Sequence, residues 1–160
     1  MANPDVVFLP SVLDRLLDDT PNTAQTRPRS RMQQLTELRG AVRRDLEALL
    51  NAHNFCRTPP AELAELARSL LEYGVPDYLT LNSGASGARE QFRRDVEDSI
   101  RRFEPRFKTV KVTLLEEGSA DRTLRFRIEA LMYAEPAPER VSYDSTLDPS
   151  SQVFSVTAGV

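Results

Sequence analysis

Between Phe92 and Leu114 the apolar rhythm of the chain changes period. Phe92, Val96, Ile100 and Phe103 recur at helical spacing, and Val110, Val112 and Leu114 then alternate as a strand does. The switch falls on Glu104-Pro105-Arg106. Proline has no amide to continue a helical ladder, and it disfavours α-conformation at the residue before it. The spacing therefore ends a helix beside Glu104 and starts a strand a few residues later. A carboxylate and a guanidinium flank a rigid ring at that corner.

Upstream, the spacing predicts a helix from Arg31 to Ala52, opened by a Ser30–Gln33 capping box. Leu35, Leu38, Val42, Leu46, Leu49 and Leu50 form its apolar stripe, with Arg39, Arg43, Arg44 and Glu47 mostly away from it. Gly40 in the helix interior hints at close packing there. A second helix is expected after Thr58 as cap and Pro59 in the first turn, with Leu63, Leu66, Leu70 and Leu71 as stripe and Gly74 as left-handed stop. Asp77 to Leu81 reads as a short extended piece, and Ser86 as the cap of a third helix from Gly87 to Phe103.

Strands follow. Val110–Leu115 and Leu124–Met132 flank a turn at residues 117–121 and read as an antiparallel hairpin. Leu124, Phe126, Ile128 and Ala130 share one face of the second strand, while Arg125, Arg127 and Glu129 share the other. Such alternation describes a sheet covered on one side only. After the Glu135–Pro138 turn, Val141–Tyr143 and Gln152–Thr157 read as two further strands. The expected class is α+β, with about three helices on one face of a small, mainly antiparallel sheet. Residues 1–29 read as a short amphipathic segment (Leu9, Val12, Leu13, Leu16, Leu17) followed by a polar linker, and residues 30–160 as a single domain. That segment should dock on its own domain or on a partner.

A net charge of −3 argues against a general nucleic-acid binder. The lone cysteine, Cys56, rules out an intramolecular disulfide and fits a reducing compartment. Asp5 and Pro10 break any signal-peptide pattern, and no apolar run reaches the roughly 20 residues that span a bilayer. The cytoplasm is the expected location. No catalytic, cofactor or metal constellation stands out. His53 reads as a surface or capping histidine, Cys56 as a small hydrophobe, and Ser83–Gly87 lacks the lysine and preceding strand of a phosphate loop. A carboxylate pair such as Glu104 with Glu116 or Asp121 is conceivable for a glycosidase, but nothing selects it among 24 acids.

Phe103-Glu104-Pro105-Arg106-Phe107 resembles the Glu-Pro-Arg motif of the contractile-tail baseplate wedge family, whose members include a phage tail protein once labelled a lysozyme and its type VI secretion counterparts, the TssE proteins. Arg43–Asn51, Leu71–Asp77, Leu124–Ala130 and Val141–Asp148 are similar to further stretches of the secretion branch, with Val75 and Tyr78 as conservative departures. The resemblance spans roughly residues 8–157. It implies a non-enzymatic, cytoplasmic baseplate component with a fold like the strand-exchanging handshake domain of the sheath. Implied partners are the wedge proteins TssF, TssG and TssK and the sheath proteins TssB and TssC, in a six-fold assembly without nucleic acid, membrane insertion or cofactor. The resemblance assigns the wedge contact to Glu104, Pro105 and Arg106.

An exposed sheet edge can template a strand from another chain. The last segment, with Val153, Phe154, Ser155 and Val156, is β-rich and proline-free, and is the candidate docking edge. Proline at Ser155 should block docking if that amide serves the new ladder. Two rival classes stay open, a peptidoglycan hydrolase and an adaptor or anti-adaptor of the same fold.

Overall fold

The computed structural model describes residues 16, 30–54, 62, 63, 65, 66, 69–76, 87–115, 123–134, 137–148 and 150–159. Helix α1 (Arg31–Leu50) begins at the expected capping box, with the Ser30 hydroxyl accepting from the Gln33 amide and the Gln33 side chain accepting from the Ser30 amide. Leu35, Val42, Leu46, Leu49 and Leu50 are buried and Leu38 packs beside them, so the stripe read from spacing is the core face. Gly40 differs from expectation: a Cβ added there would meet nothing within 4 Å. Among the described residues, no packing requires that glycine.

Helix α2 (Ala88–Phe103) buries Phe92, Val96, Ser99 and Ile100. Its cap is Gly87, in the left-handed region at φ 92°, without a side-chain hydrogen bond; Ser86 lies outside the described residues. Glu90 in the first turn and Arg101 and Arg102 in the last oppose the helix dipole favourably.

The expected second helix is not continuous. Ser69 is extended (φ −82°, ψ 168°) and caps a single 3-10 turn at Leu70–Glu72; Thr58 and Pro59 lie outside the described residues. Leu63, Leu70 and Leu71 are exposed rather than aligned on the core. The chain is instead fixed just beyond them. Gly74 takes φ 112°, the Val75 amide donates to the Ala52 carbonyl at 2.9 Å, and the buried Ser99 hydroxyl donates to the Gly74 carbonyl at 2.6 Å. A Cβ at Gly74 would collide with the Ala52 backbone. The expected stop at Gly74 is therefore left-handed as read, but it seats a connector between the ends of two helices.

Among the described residues four antiparallel strands follow, in the order β1 (Phe107–Leu114), β2 (Leu124–Met132), β3 (Glu139–Asp148) and β4 (Val153–Ala158). β1 starts three residues earlier than the apolar alternation indicated, and its register with β2 is irregular between Phe107 and Thr109. β3 runs further than Val141–Tyr143, and its inward residues Val141, Tyr143, Ser145 and Leu147 are all buried. The Asp77–Leu81 piece and the 117–121 turn fall outside the described residues, as does the amphipathic N-terminal segment except for Leu16, which is helical and exposed.

Both helices cover one sheet face. Phe92 of α2, Phe126 of β2 and Phe154 of β4 meet with ring centroids 5.9–6.3 Å apart. Such aromatic contacts add to area burial and join α2 to both halves of the sheet. On the opposite face Arg127 donates two hydrogen bonds to Asp144, directly across the β2–β3 pair, at 2.7 and 3.1 Å.

Candidate functional site

The Glu104-Pro105-Arg106 corner occupies the three residues between α2 and β1. The Glu104 amide still donates to the Ile100 carbonyl, and its carbonyl accepts from Phe107. Pro105 prevents another helical turn, and the Arg106 carbonyl accepts from the Tyr133 amide at 2.8 Å, anchoring the corner to the end of β2. Local sequence sets the bend and the sheet locks it.

The charged side chains are paired within the chain, Glu104 buried and Arg106 partly so. Glu104 is only 6% exposed, and its Oε2 accepts from Arg106 Nε at 3.0 Å and Nη2 at 2.5 Å. Nη2 also donates to Asp45 Oδ2 of α1 at 2.7 Å. Arg106 thus ties the corner to the other helix. Its Nη1 is buried, with no hydrogen-bond partner among the described residues. The guanidinium expected to face a partner is spent largely inside the chain; Pro105, in contrast, is exposed.

Burial works against the Glu104 carboxylate and outweighs the attraction of Arg106, while Asp45 pushes in the same direction as burial, so the carboxyl is held above the usual range. For Arg106, burial would lower the pKa, but Glu104 and Asp45 together raise it. The two directions are compatible: two acids share one cation, and the more buried acid bears the desolvation. Two tyrosines complete the surroundings. Tyr73 meets Phe103 edge-on at 5.3 Å, and its phenol is raised by burial and then by Asp45 and Glu104. Tyr143 donates to the Arg39 carbonyl of α1 at 3.2 Å and is pushed up to about 12, chiefly by burial.

Asp45, Tyr73 and Tyr143 were not singled out from sequence. Asp45 offered one signal, an acid on the flank of the α1 stripe beside Leu46, but only the fold shows that Arg106 meets it. Glu116 and Asp121, considered as hydrolytic partners of Glu104, lie outside the described residues. Glu104 itself is sealed by Arg106 and faces no described second carboxylate except Asp45 across the same guanidinium. His53 is exposed, its backbone bridged to Val75.

The other expected site, Val153–Val156, lies in β4, which among the described residues is an outer strand of the sheet. Its outer side carries side chains of α1. The Phe154 amide donates to Asn51 Oδ1 at 2.8 Å, the Phe154 carbonyl accepts from Asn51 Nδ2 at 2.9 Å, and the Val156 carbonyl accepts from Arg43 at 3.1 Å. Backbone groups alternate sides along a strand. Phe154, Val156 and Ala158 therefore turn outward while Ser155 turns to β3, in accord with the Gly159 amide donating to Ser142 of β3. The Ser155 amide serves the existing ladder, and a proline there would damage the domain itself.

The opposite edge, β1, is held the same way by α2. Glu97 Oε2 accepts from the Val112 amide at 3.0 Å, and Arg93 and Arg101 donate to the carbonyls of Val112 and Val110 at 3.4 and 3.1 Å. Arg93 and Arg101 both pair with Glu97. Arg43 and Glu47 on α1 with its C-cap Asn51, whose Nδ2 also donates to the Glu47 carbonyl, and Arg93, Glu97 and Arg101 on α2 repeat one spacing, i, i+4, i+8, which aligns each row along its edge.

One solved chain, from a structure titled "The baseplate complex from the type VI secretion system", shares 19% identity and a TM-score of 0.49, over 71% of this chain and 96% of that one. No curated protein sequence matches. The family described as baseplate wedge protein gp25 matches residues 36–137, a span that runs from α1 through the corner and the β1–β2 hairpin. With that match extending over more than half of its length, the chain belongs to the baseplate wedge protein gp25 family.

Proposed function

We propose that this chain is a structural, non-enzymatic component of the cytoplasmic baseplate of a type VI secretion system, joining wedge subunits and offering a starting edge for sheath assembly. Membership of the wedge family over residues 36–137 carries the reading. The order and spacing of the Tyr73–Asp77 and Glu104–Arg106 motifs support the secretion branch. Partners are then the wedge proteins TssF, TssG and TssK and the sheath proteins TssB and TssC.

Within this reading the corner acts through its shape. Arg106 holds Glu104 and Asp45, so the exposed ring of Pro105 is presented at a fixed angle between two helices and the sheet. Pre-organisation of this kind lowers the ordering cost of association. Arg106→Ala would leave Glu104 buried without its cation, and the expected cost to the monomer is about 3 kcal/mol. Lysine would not replace a fork that spans two carboxylates. Both variants therefore weaken assembly partly through folding.

The cleaner test is Pro105→Glu, which adds a charge on the exposed corner while sparing the Glu104–Arg106–Asp45 ties. In a host with a contractile system, the tagged variant should melt near the wild-type temperature yet lose co-purification with wedge proteins. Undiminished co-purification would remove the corner from the interface. Clearing of a peptidoglycan suspension by the wild type, abolished in Glu104→Gln, would overturn the non-enzymatic reading.

A further inference from the structure

The open face of the sheet is unevenly charged at its corner end. Along β2 the even-numbered side chains enter the core, so Leu131 and Tyr133 turn to the side that no described helix covers. Tyr133 directly follows β2, and the bond from its amide to the Arg106 carbonyl sets it beside the exposed Pro105. It is 58% exposed, next to the half-buried Leu131. Two cations flank these residues. Lys108 stands at the irregular start of β1, and Arg140 lies directly across from Leu131 on β3. Both are exposed, and among the described residues neither side chain has an ion-pair partner. The neighbouring described acids are committed elsewhere. Glu104 is buried on Arg106, Glu139 pairs with Arg39, and Glu129 lies directly across from Lys111. Further along the same face Arg127 is matched by Asp144. An apolar centre with a charged rim is the anatomy of a protein contact, and tyrosine is among the residues that most often carry its energy.

We propose that this end of the open face is a contact surface in its own right, anchored by Tyr133 and Leu131 and rimmed by Lys108 and Arg140, and that it receives an acidic stretch of the wedge protein that meets Pro105. The identity of the occupant as a wedge protein rests on the baseplate reading above. Its sign follows from the two cations. Carboxylates set against them supply the attraction that the chain's own described acids do not, and a basic surface is repelled. The anchor and the rim leave different signatures. Exposed charges lose their reach in salt, with a screening length of about 10 Å at about 0.1 M, whereas a buried aromatic contact does not.

The test is co-purification of wedge proteins with the tagged full chain, washed at about 0.05 M and at about 0.5 M salt. Lys108→Glu combined with Arg140→Glu should lower recovery about tenfold in the low-salt wash, and Tyr133→Ala should lower it about as much in both washes. Lys108→Arg combined with Arg140→Lys, which keeps both charges, should recover as much as wild type. Arg89→Glu, a charge reversal at the opposite end of α2 from the corner, should change recovery little. Every variant should melt near the wild-type temperature. Wild-type recovery in Tyr133→Ala or in the double reversal, or a loss matched by Arg89→Glu, would overturn the proposal. So would retention of a duplex DNA oligonucleotide by the wild type that the double reversal abolishes. Loss in Pro105→Glu with full recovery in the Tyr133 and double variants sinks this surface and leaves the corner reading standing; full recovery in all of them removes both.

Discussion

The β1 and β4 edges solve one problem with different chemistry. Each lies beside a helix whose i, i+4, i+8 row reaches its outward backbone groups. On β1 the row is ionic and shared: one carboxylate, Glu97, serves the Val112 amide and two arginines. On β4 a neutral amide, Asn51, meets both backbone groups of Phe154, and Arg43, paired with Glu47, reaches the Val156 carbonyl. Withdrawing Glu97 would take one acid from each of Arg93 and Arg101, which keep Glu90 and Asp98, whereas a neutral side chain exchanges for water or backbone without breaking an ion pair. The difference separates an edge held through a shared charge from one held through a neutral side chain.

The sharpest way to break this comparison is to disturb what both helices lean on. Gly74→Ala forces a Cβ onto the Ala52 backbone at positive φ and should cost about 3 kcal/mol or more in urea denaturation. A near-neutral result would mean that the connector does not fix the helix ends. Next in size is the contrast between the edges. Glu97→Ala should destabilise by about 2 kcal/mol and Asn51→Ala by about 1 kcal/mol. Equal losses would erase the asymmetry.

A smaller effect distinguishes the α1 side by pH. The Tyr143 phenol ionises near 12 in the folded chain against 10.0 ordinarily, so the unfolded chain releases that proton first. The stabilisation is full below pH 10, and is lost as pH climbs through about 12. Tyr143→Phe should remove that alkaline slope and, through its lost bond to the Arg39 carbonyl, lower stability at neutral pH by about 1 kcal/mol. An unchanged slope in the variant would assign it to other groups. Smallest, and opposite in sign, Gly40→Ala should stabilise α1 by up to about 1 kcal/mol, seen as a raised melting temperature. Destabilisation would reveal a contact at that face.

Periodicity alone determined α1, α2, the β1–β2 hairpin and the covered face of the sheet, because burying one face imposes a repeat of 3.6 or 2 on the residues themselves. Pro105 marked the corner because its ring acts on its immediate neighbours. The apolar residues between Leu63 and Leu71 were read as a helix, yet Ser69 is extended and several of these leucines face solvent. There, pinning of Gly74 and Val75 between Ala52 and Ser99 prevailed over local spacing. The destination of Arg106 was likewise invisible: its second carboxylate, Asp45, is sixty-one positions away. Nor could sequence tell that Asn51 closes β4, since whether an edge is free depends on which helix lies beside it. Local rules act over a few residues and are legible in order along the chain. Charge pairing and edge coverage depend on distances that exist only once the helices have settled on the sheet.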